Sequence, residues 1–426
     1  MRIALLSYRS KTHCGGQGVY VRHLSRGLAE LGHRVEVFSG QPYPEELDPR
    51  VRLTEVPSLD LYREPDPFRV PRPSEIRDGI DALELATMWS AGFPEPRTFS
   101  LRVARLLARR SAEFGPEFDI VHDNQCLGSG LLRIAEHLPV VATIHHPITR
   151  DRELDLAAAR WWRKPSVHRW YGFAGMQKRV ARALPDLLTV SSSSAVDIAE
   201  DFGVDPKQLH VVPLGVDTDL FKPAGKPRVP GRIIAISSAD RPLKGIGNLL
   251  QALARLRTGH DLELQLVAKL EPNGPTEKLI AELGLADIVR VTGGLSHTEI
   301  ADLFASAEIA CIPSLYEGFS LPAVEAMASG TPVVASRAGA LPEVLGSDGE
   351  CADLVAPGDV GELTHALSRL LDSPERRHWL GTAGRRRALD VFSWESVAAQ
   401  TVRVYSQAID RSGIHRLAGE AVDDPC

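Results

Sequence analysis

The sequence predicts an α/β protein made of two doubly wound, Rossmann-like domains. Three observations predict it. Two separate series of short apolar strands alternate with amphipathic helices, and each series calls for a parallel sheet with right-handed crossovers. The chain has 426 residues, enough for two domains. A stretch with three prolines, residues 221–230, lies between the two series and suits a linker.

The first series opens with a strand at residues 2–7, a glycine-rich turn, and a helix over residues 19–31 that Gly32 should stop. A second strand at 34–39 completes a strand–helix–strand unit. Residues 41–98 break the alternation and hold ten of the thirty prolines. They read as an insertion over one face of the first domain, with a short helix near 81–89. Alternation resumes with a helix at 101–113 and strands at 119–122, 139–144, 186–191 and 208–212. The second series places strands at 232–237, 262–268, 288–292, 309–313, 332–336 and 353–355. Helices at 248–257 and 299–307 lie among them. A last helix, 394–409, follows Ser393 as its N-cap, and residues 411–426 read as a frayed tail. The predicted domains are 1–218 with 393–426, and 219–392.

Composition excludes several classes. Apolar residues make up 43% and charged residues 24%, which argues against disorder, collagen and coiled coil. Net charge is 49 − 55 = −6, so no basic field advertises nucleic acid. No apolar run approaches the ~18 residues that span a bilayer. The N-terminus runs straight into a strand and reads as lacking a signal peptide. The five cysteines (Cys14, Cys126, Cys311, Cys351, Cys426) are scattered, with no CxxC pair. That pattern disfavours a disulfide framework or zinc site and fits a reducing cytoplasm.

Open α/β sheets bind ligands beyond the carboxyl ends of their strands, so motifs at those ends matter most. Cys14-Gly15-Gly16-Gln17-Gly18 lies between a strand and a helix, where backbone N–H groups can approach an anion or a sugar; it can also be only a tight turn. A dinucleotide fingerprint is disfavoured. Val21 stands at the third glycine position of Gly16-Gln17-Gly18-Val19-Tyr20-Val21, and the second strand ends without an acid for a ribose. Thr143-Ile144-His145-His146-Pro147 ends another strand, and neighbouring side chains on a strand alternate faces. Arg241 and Lys244, three apart just past a strand, can clamp a diphosphate or simply form a solvated basic turn.

The most specific motif is Ser314-Leu315-Tyr316-Glu317-Gly318-Phe319-Ser320-Leu321-Pro322-Ala323-Val324-Glu325. A strand leads into it, Ser320 reads as an N-cap, and Pro322 sits in the first turn. Glu317 on the loop and Glu325 on the helix can face one ligand. The N–H groups of Phe319, Ser320 and Leu321 stay free to bind it. Asp217-Thr218-Asp219 resembles a D-x-D metal motif, but its place after a Pro-Leu-Gly-Val turn suits an Asx turn, so no metal site is read.

With these motifs in this order, nearly the whole chain resembles the retaining GT-B glycosyltransferases of family 4 (glycosyl transferases group 1). Glu317 and Glu325 match that family's E-x7-E motif, Arg241 and Lys244 its donor-diphosphate pair, and His145 the histidine after the fourth amino-terminal strand. Val212-Pro213-Leu214-Gly215-Val216-Asp217 matches its V-P-x-G-V-D turn, and residues 15–18 match the loop near the reaction centre. One turn departs: Lys269-Leu270-Glu271-Pro272-Asn273-Gly274 stands where the family often has G-x-G.

The resemblance implies two domains facing across a cleft that closes to exclude water. It implies transfer of a hexose of glucose or mannose type, with retention, from a nucleotide diphosphate sugar (UDP- or GDP-linked) to a glycan, lipid or small-molecule acceptor. No cofactor or metal is implied. Glu325 would hold the ribose and Glu317 the hexose; Arg241 and Lys244 would meet the charge on the leaving diphosphate. Gly16, Gly318, Phe319, Ser320 and Leu321 complete the implied donor site, and Gly15, Gly16, His145 and Gly215 the acceptor side. Two rival readings stand beside this one: a nucleotide-sugar epimerase or hydrolase on the same fold, and a non-catalytic nucleotide-sugar binding module.

Residues 150–182 carry nine Lys/Arg against three Asp/Glu, interleaved with Trp161, Trp162, Trp170, Tyr171 and Phe173. The segment reads either as a surface for an anionic membrane or glycan acceptor, or as an amphipathic helix pair whose aromatics are core. Four arginines on the helix at 101–110 add to the surface reading. The expected location is the cytoplasm, with peripheral contact at the inner membrane face as one option.

Overall fold

The computed structural model describes residues 1–10, 16–63, 65–237 and 242–413. Contacts divide the chain into two compact units. The first comprises Met1–Val190, Ser194–Val212 and the chain from Val397 onward; the second comprises Ser191–Ser193 and Pro213–Ser396. Apart from the three residues Ser191–Ser193, the chain changes units at 212/213 and 396/397, whereas the sequence reading put the boundaries at 218/219 and 392/393.

The first unit holds a seven-stranded sheet: β1 (Arg2–Ser7), β2 (Arg34–Ser39), β3 (Arg52–Glu55), β4 (Ile120–Asn124), β5 (Val140–Ile144), β6 (Asp186–Thr189) and β7 (Leu209–Val211). Every pairing is parallel and the order is β3-β2-β1-β4-β5-β6-β7. β4 and β5 are buried along their whole length, as strands covered by helices on both faces must be. The helix Gly16–Glu30 follows β1 and ends where Gly32, at φ +82°, turns the chain. The His33 N–H then bonds back to the Leu28 carbonyl, as the left-handed glycine stop requires.

The second unit holds β8 (Val229–Ile236), β9 (Glu263–Val267), β10 (Val289–Thr292), β11 (Ala307–Ile312), β12 (Val333–Ser336) and β13 (Ala352–Val355). Its order is β10-β9-β8-β11-β12-β13, again all parallel. Its core packs Leu249, Leu253, Leu264, Ile309 and Leu367 between sheet and helices. In both units the order of connection reverses beside the first strand, between β1 and β4 and between β8 and β11. The class predicted from the sequence, two doubly wound parallel sheets, is the one observed.

Three expectations need correction. Residues 41–98 carry the short helix expected in them, at Gly79–Trp89 and capped by Asp78, but they also add β3 to the sheet edge and the start of the helix Glu95–Phe114, neither of which was expected. Prolines obscured this because they crowd the loops between those elements. The stretch 221–230 lies inside the second unit and is not a link between units. Arg228 ties it down: its guanidinium donates to the carbonyls of Phe304, Ala305, Ala307, Ser329 and Gly330 and to Thr331 Oγ1, at 2.7–3.1 Å. Val229 and Pro230 already begin β8. Three of the four arginines at 101–110 are spent in ion pairs and do not add to a free basic face: Arg102 pairs in the interior with Asp81 and Glu84, Arg105 with Asp78, and Arg110 with Glu36 and Glu117.

The last helix runs Trp394–Ser412, and the Ser393 hydroxyl accepts from the Ser396 N–H at 3.2 Å, the cap expected of it. The tail read beyond it falls, from residue 414, outside the described residues.

Close backbone approach at Gly130 yields a stability prediction. A Cβ there would stand 2.1 Å from the Ser100 carbonyl oxygen, whereas one at Gly79 would meet nothing within 4 Å. Gly130→Ala should therefore lower urea-unfolding stability by about 1–3 kcal/mol, with Gly79→Ala near neutral. Equal midpoints for the two variants would mean that the helices around Gly130 part freely.

Candidate active site

In the second unit the loops after β8 and β11 meet. The backbone N–H of Leu315 bonds the Leu243 carbonyl at 2.8 Å, and Gly245, at φ +65°, lies so close to Pro313 that a Cβ would stand 1.9 Å from its carbonyl oxygen. This join brings Lys244 to Glu317: the ammonium donates to Oε1 at 2.8 Å, and the Ser314 hydroxyl donates to the same oxygen at 2.7 Å. Among the described residues no donor engages Oε2, so the carboxylate is held by one oxygen and offers the other. The Glu317 backbone is fixed from the loop after β12. The Ala340 N–H donates to its carbonyl at 2.9 Å, and Gly339 packs flat against it.

Glu317 leads to the helix Leu321–Ala328. Phe319 turns inward and meets Phe392 edge-on at 5.9 Å. Ser320 precedes the helix at φ +90°, a left-handed conformation strained for a serine, and its side chain makes no capping bond. Its buried hydroxyl has no partner among the described residues. The N-cap role expected of Ser320 is thus met in position but not in chemistry. The N–H groups of Phe319, Ser320 and Leu321 have no acceptor among the described residues, and the helix dipole adds positive potential there. Together with the unspent serine hydroxyl they form a cradle for an anion or for hydroxyls.

Glu325 lies one turn into the same helix. It is half-buried, and loss of solvent pushes its carboxyl up to about 7. Arg241 and Gly15, both predicted site residues, fall outside the described residues. Gly215 belongs to the second unit, and its bareness is explained by packing: a Cβ would stand 2.4 Å from the Trp394 ring. Asp217 forms the Asx turn read for it, its Oδ1 accepting from the N–H groups of Asp219 and Leu220 at 3.1 Å.

In the first unit the carboxyl ends of β1, β4 and β5 meet. Gly16 starts the helix after β1, and the next residue's carbonyl accepts from Asn124 Nδ2 at 3.3 Å. His145, past β5, bonds Asn124 Oδ1 through Nε2 at 2.8 Å, and its backbone N–H reaches Gln125 Oε1 at 2.9 Å. The Tyr20 ring meets it edge-on at 4.8 Å. Behind it runs a buried chain: Tyr405 OH to His122 Nδ1 at 2.6 Å, His122 Nε2 to Thr143 Oγ1 at 2.6 Å, and Thr143 Oγ1 to Tyr20 OH at 3.3 Å. Burial lowers both His122 and His145 to about 3, so both rings are neutral at pH 7.

With Nε2 assigned as the donor to Asn124, His145 keeps a lone pair on Nδ1, which accepts a hydrogen bond from a hydroxyl. The buried chain was missed from the sequence. Its signal was present, since β4 ends in three consecutive polar residues, His122, Asp123 and Asn124, all buried.

Each unit therefore presents polar groups at the carboxyl edge of a doubly wound sheet, suited to a hydroxyl-rich, anionic ligand. A family model described as Glycosyltransferase Family 4 matches residues 14–220, and one described as Glycosyl transferases group 1 matches residues 217–387. An MMP alpha-(1->4)-mannosyltransferase of Mycolicibacterium hassiacum is 74% identical, over 96% of this chain and 99% of that protein. A D-inositol 3-phosphate glycosyltransferase 2 of Catenulispora acidiphila is 29% identical, over 96% of this chain and 95% of that protein. The solved structure of sucrose-phosphate synthase from Thermosynechococcus elongatus aligns with a TM-score of 0.68 at 23% identity, covering 96% of this chain and 99% of that one. The chain belongs to the group 1 glycosyltransferases of family 4, with the GT-B fold, and is a hexosyltransferase.

The Glu325 carboxyl gives a pH prediction. Its pKa in the folded chain stands above the ordinary 4.5, so its neutral form favours folding below 4.5 and that favour is lost as pH rises through 7. Ligand-free Glu325→Gln should gain on the parent, by on the order of 2–3 kcal/mol between pH 4.5 and 8 in denaturant titrations. A pH-independent difference would refute the shift.

Proposed function

We propose that this enzyme transfers an α-mannosyl residue from a nucleotide diphosphate mannose to the 4-hydroxyl of a glycan acceptor, with retention. The observation that carries this reading is the 74% identity, nearly end to end, with an MMP alpha-(1->4)-mannosyltransferase. Nucleotide-activated mannose carries its phosphate on the α face. An α-(1→4) product from such a donor keeps the configuration.

The donor's diphosphate would lie on the N–H groups of Phe319, Ser320 and Leu321, with Lys244 and Arg241 meeting its charge. Glu325 would hold the ribose hydroxyls and Glu317 Oε2 a mannose hydroxyl. As the bond from C1 to the phosphate oxygen breaks, negative charge grows on the diphosphate, and fixed cations stabilise that charge without reorganising. The acceptor's 4-oxygen forms the new bond to C1, and its proton passes to the departing phosphate. The neutral His145 ring and the Gly16 turn would orient the acceptor. No metal is needed for this charge balance.

Lys244→Ala and Arg241→Ala should each lower kcat/KM by about 100-fold or more, the cost of removing one such stabilising group. Turnover within a few-fold of the parent would overturn the clamp. A thermal-shift panel of UDP-, GDP- and ADP-sugars identifies the donor, since ligands of the folded state raise its melting point, and NMR of the product reads the anomeric configuration. If the Glu325 carboxylate holds the ribose, the donor KM rises as pH falls below 7 in the parent and stays flat, though higher, in Glu325→Gln. No helix among the described residues is long and apolar enough to cross a membrane, and the reading requires none.

A further inference from the structure

Two segments outside the strand–helix alternation meet at one place in the first unit. Tyr62 and Phe93 come from residues 41–98; Trp170 and Phe173 come from residues 150–182. Trp170 lies 5.7 Å from Tyr62 and 5.1 Å from Phe93, and Phe93 lies 5.5 Å from Phe173, centroid to centroid. These rings wall a cavity of about 300 Å³ whose lining also includes Gln17 and His146. The reading of the aromatics of 150–182 as core holds only in part: Phe173 packs against the core of the unit, whereas Trp161 and Trp162 are exposed and Trp170 is half-buried around this space.

Arg9 also lines the cavity and braces two of the rings. The Arg9 guanidinium sits 5.8 Å from the Tyr62 centroid and 5.7 Å from that of Phe93. It is held in turn by Glu95, at 2.5 and 2.7 Å. The rings are thus ordered before any ligand arrives, which reduces the entropy lost on binding. The charge of Arg9 is already matched, so the cavity does not call for an anion. It offers aromatic faces and a few polar side chains. Aromatic faces are electron-rich and attract the polarised C–H groups on one face of a pyranose, while amide and imidazole groups bond its hydroxyls. The cavity is also next door to the reaction-side residues: Gln17 follows Gly16, and His146 follows His145.

We propose that this aromatic cavity is an acceptor subsite, which stacks a sugar ring of the acceptor glycan set back from the ring that receives the hexose. The proposal rests on the glycosyl-transfer reading above and adds what that reading lacks, a source of preference for acceptor length. A single sugar occupies only the reaction-side loops, whereas a longer acceptor also covers the rings.

The test uses the full chain with methyl α-mannoside and an α-(1→4)-linked mannotetraose as acceptors and, as donor, the nucleotide diphosphate mannose that the thermal-shift panel selects. The readout is the ratio of kcat/KM for the longer acceptor to that for the shorter. Trp170→Leu and, separately, Tyr62→Leu should each cut this ratio at least tenfold, through KM for the tetraose. Quenching of intrinsic fluorescence by the tetraose, present in the parent, should be lost in Trp170→Phe. Two variants at different walls guard against a fault in folding at either one. If the parent elongates both acceptors and the ratio is unchanged in both leucine variants, the subsite is overturned while the transferase reading stands. If the parent elongates neither, both fall.

Discussion

Parallel strands impose a direction on everything else in this chain. Each must be followed by a crossover, so every strand's carboxyl end and the amino end of the next helix open on the same edge of the sheet. Where the order of connection reverses, beside β1 in one unit and β8 in the other, two such loops diverge and leave room for a ligand. Gly16 and Asn124 stand at the first of these places, and Lys244 and Glu317 at the second. Neither group is near in sequence; parallel pairing alone makes them neighbours.

The two edges solve opposite electrostatic problems. In the second unit, one ammonium and one hydroxyl hold a carboxylate by a single oxygen, and a helix start adds unspent N–H groups. In the first unit a chain of neutral groups is matched one to the next behind His145, from Tyr405 through His122 and Thr143 to Tyr20. Burial keeps both imidazoles uncharged. Below pH 6.5 the unfolded chain binds those protons more readily, so this edge loses stability as acid is added. A neutral, hydrogen-bonded chain suits the aiming of hydroxyls proposed for this edge.

Much of this was legible in the residues. Strand periodicity located all the core strands except β3, and strand ends located Glu317, Lys244 and His145. What escaped has physical causes. β3 is four residues long, lies at the sheet edge and is only partly buried, so it carries no apolar run. The left-handed Ser320 looked like an ordinary cap because sequence reports a residue's type and not its φ. The need for glycine at 215 comes from the Trp394 ring packed on it, a contact with a residue far away in the chain. The Tyr405 contact to His122 bridges 283 residues, beyond the reach of any local pattern.

Gly339 and Ala340 have a further consequence. The carboxylate loop takes its position from a turn after β12, through one backbone hydrogen bond and one missing side chain. Such a turn opens at a lower free energy than the sheet that carries it. Warming should thus disable the enzyme before it melts the protein, and the interval between inactivation and unfolding measures how firmly that single turn is held.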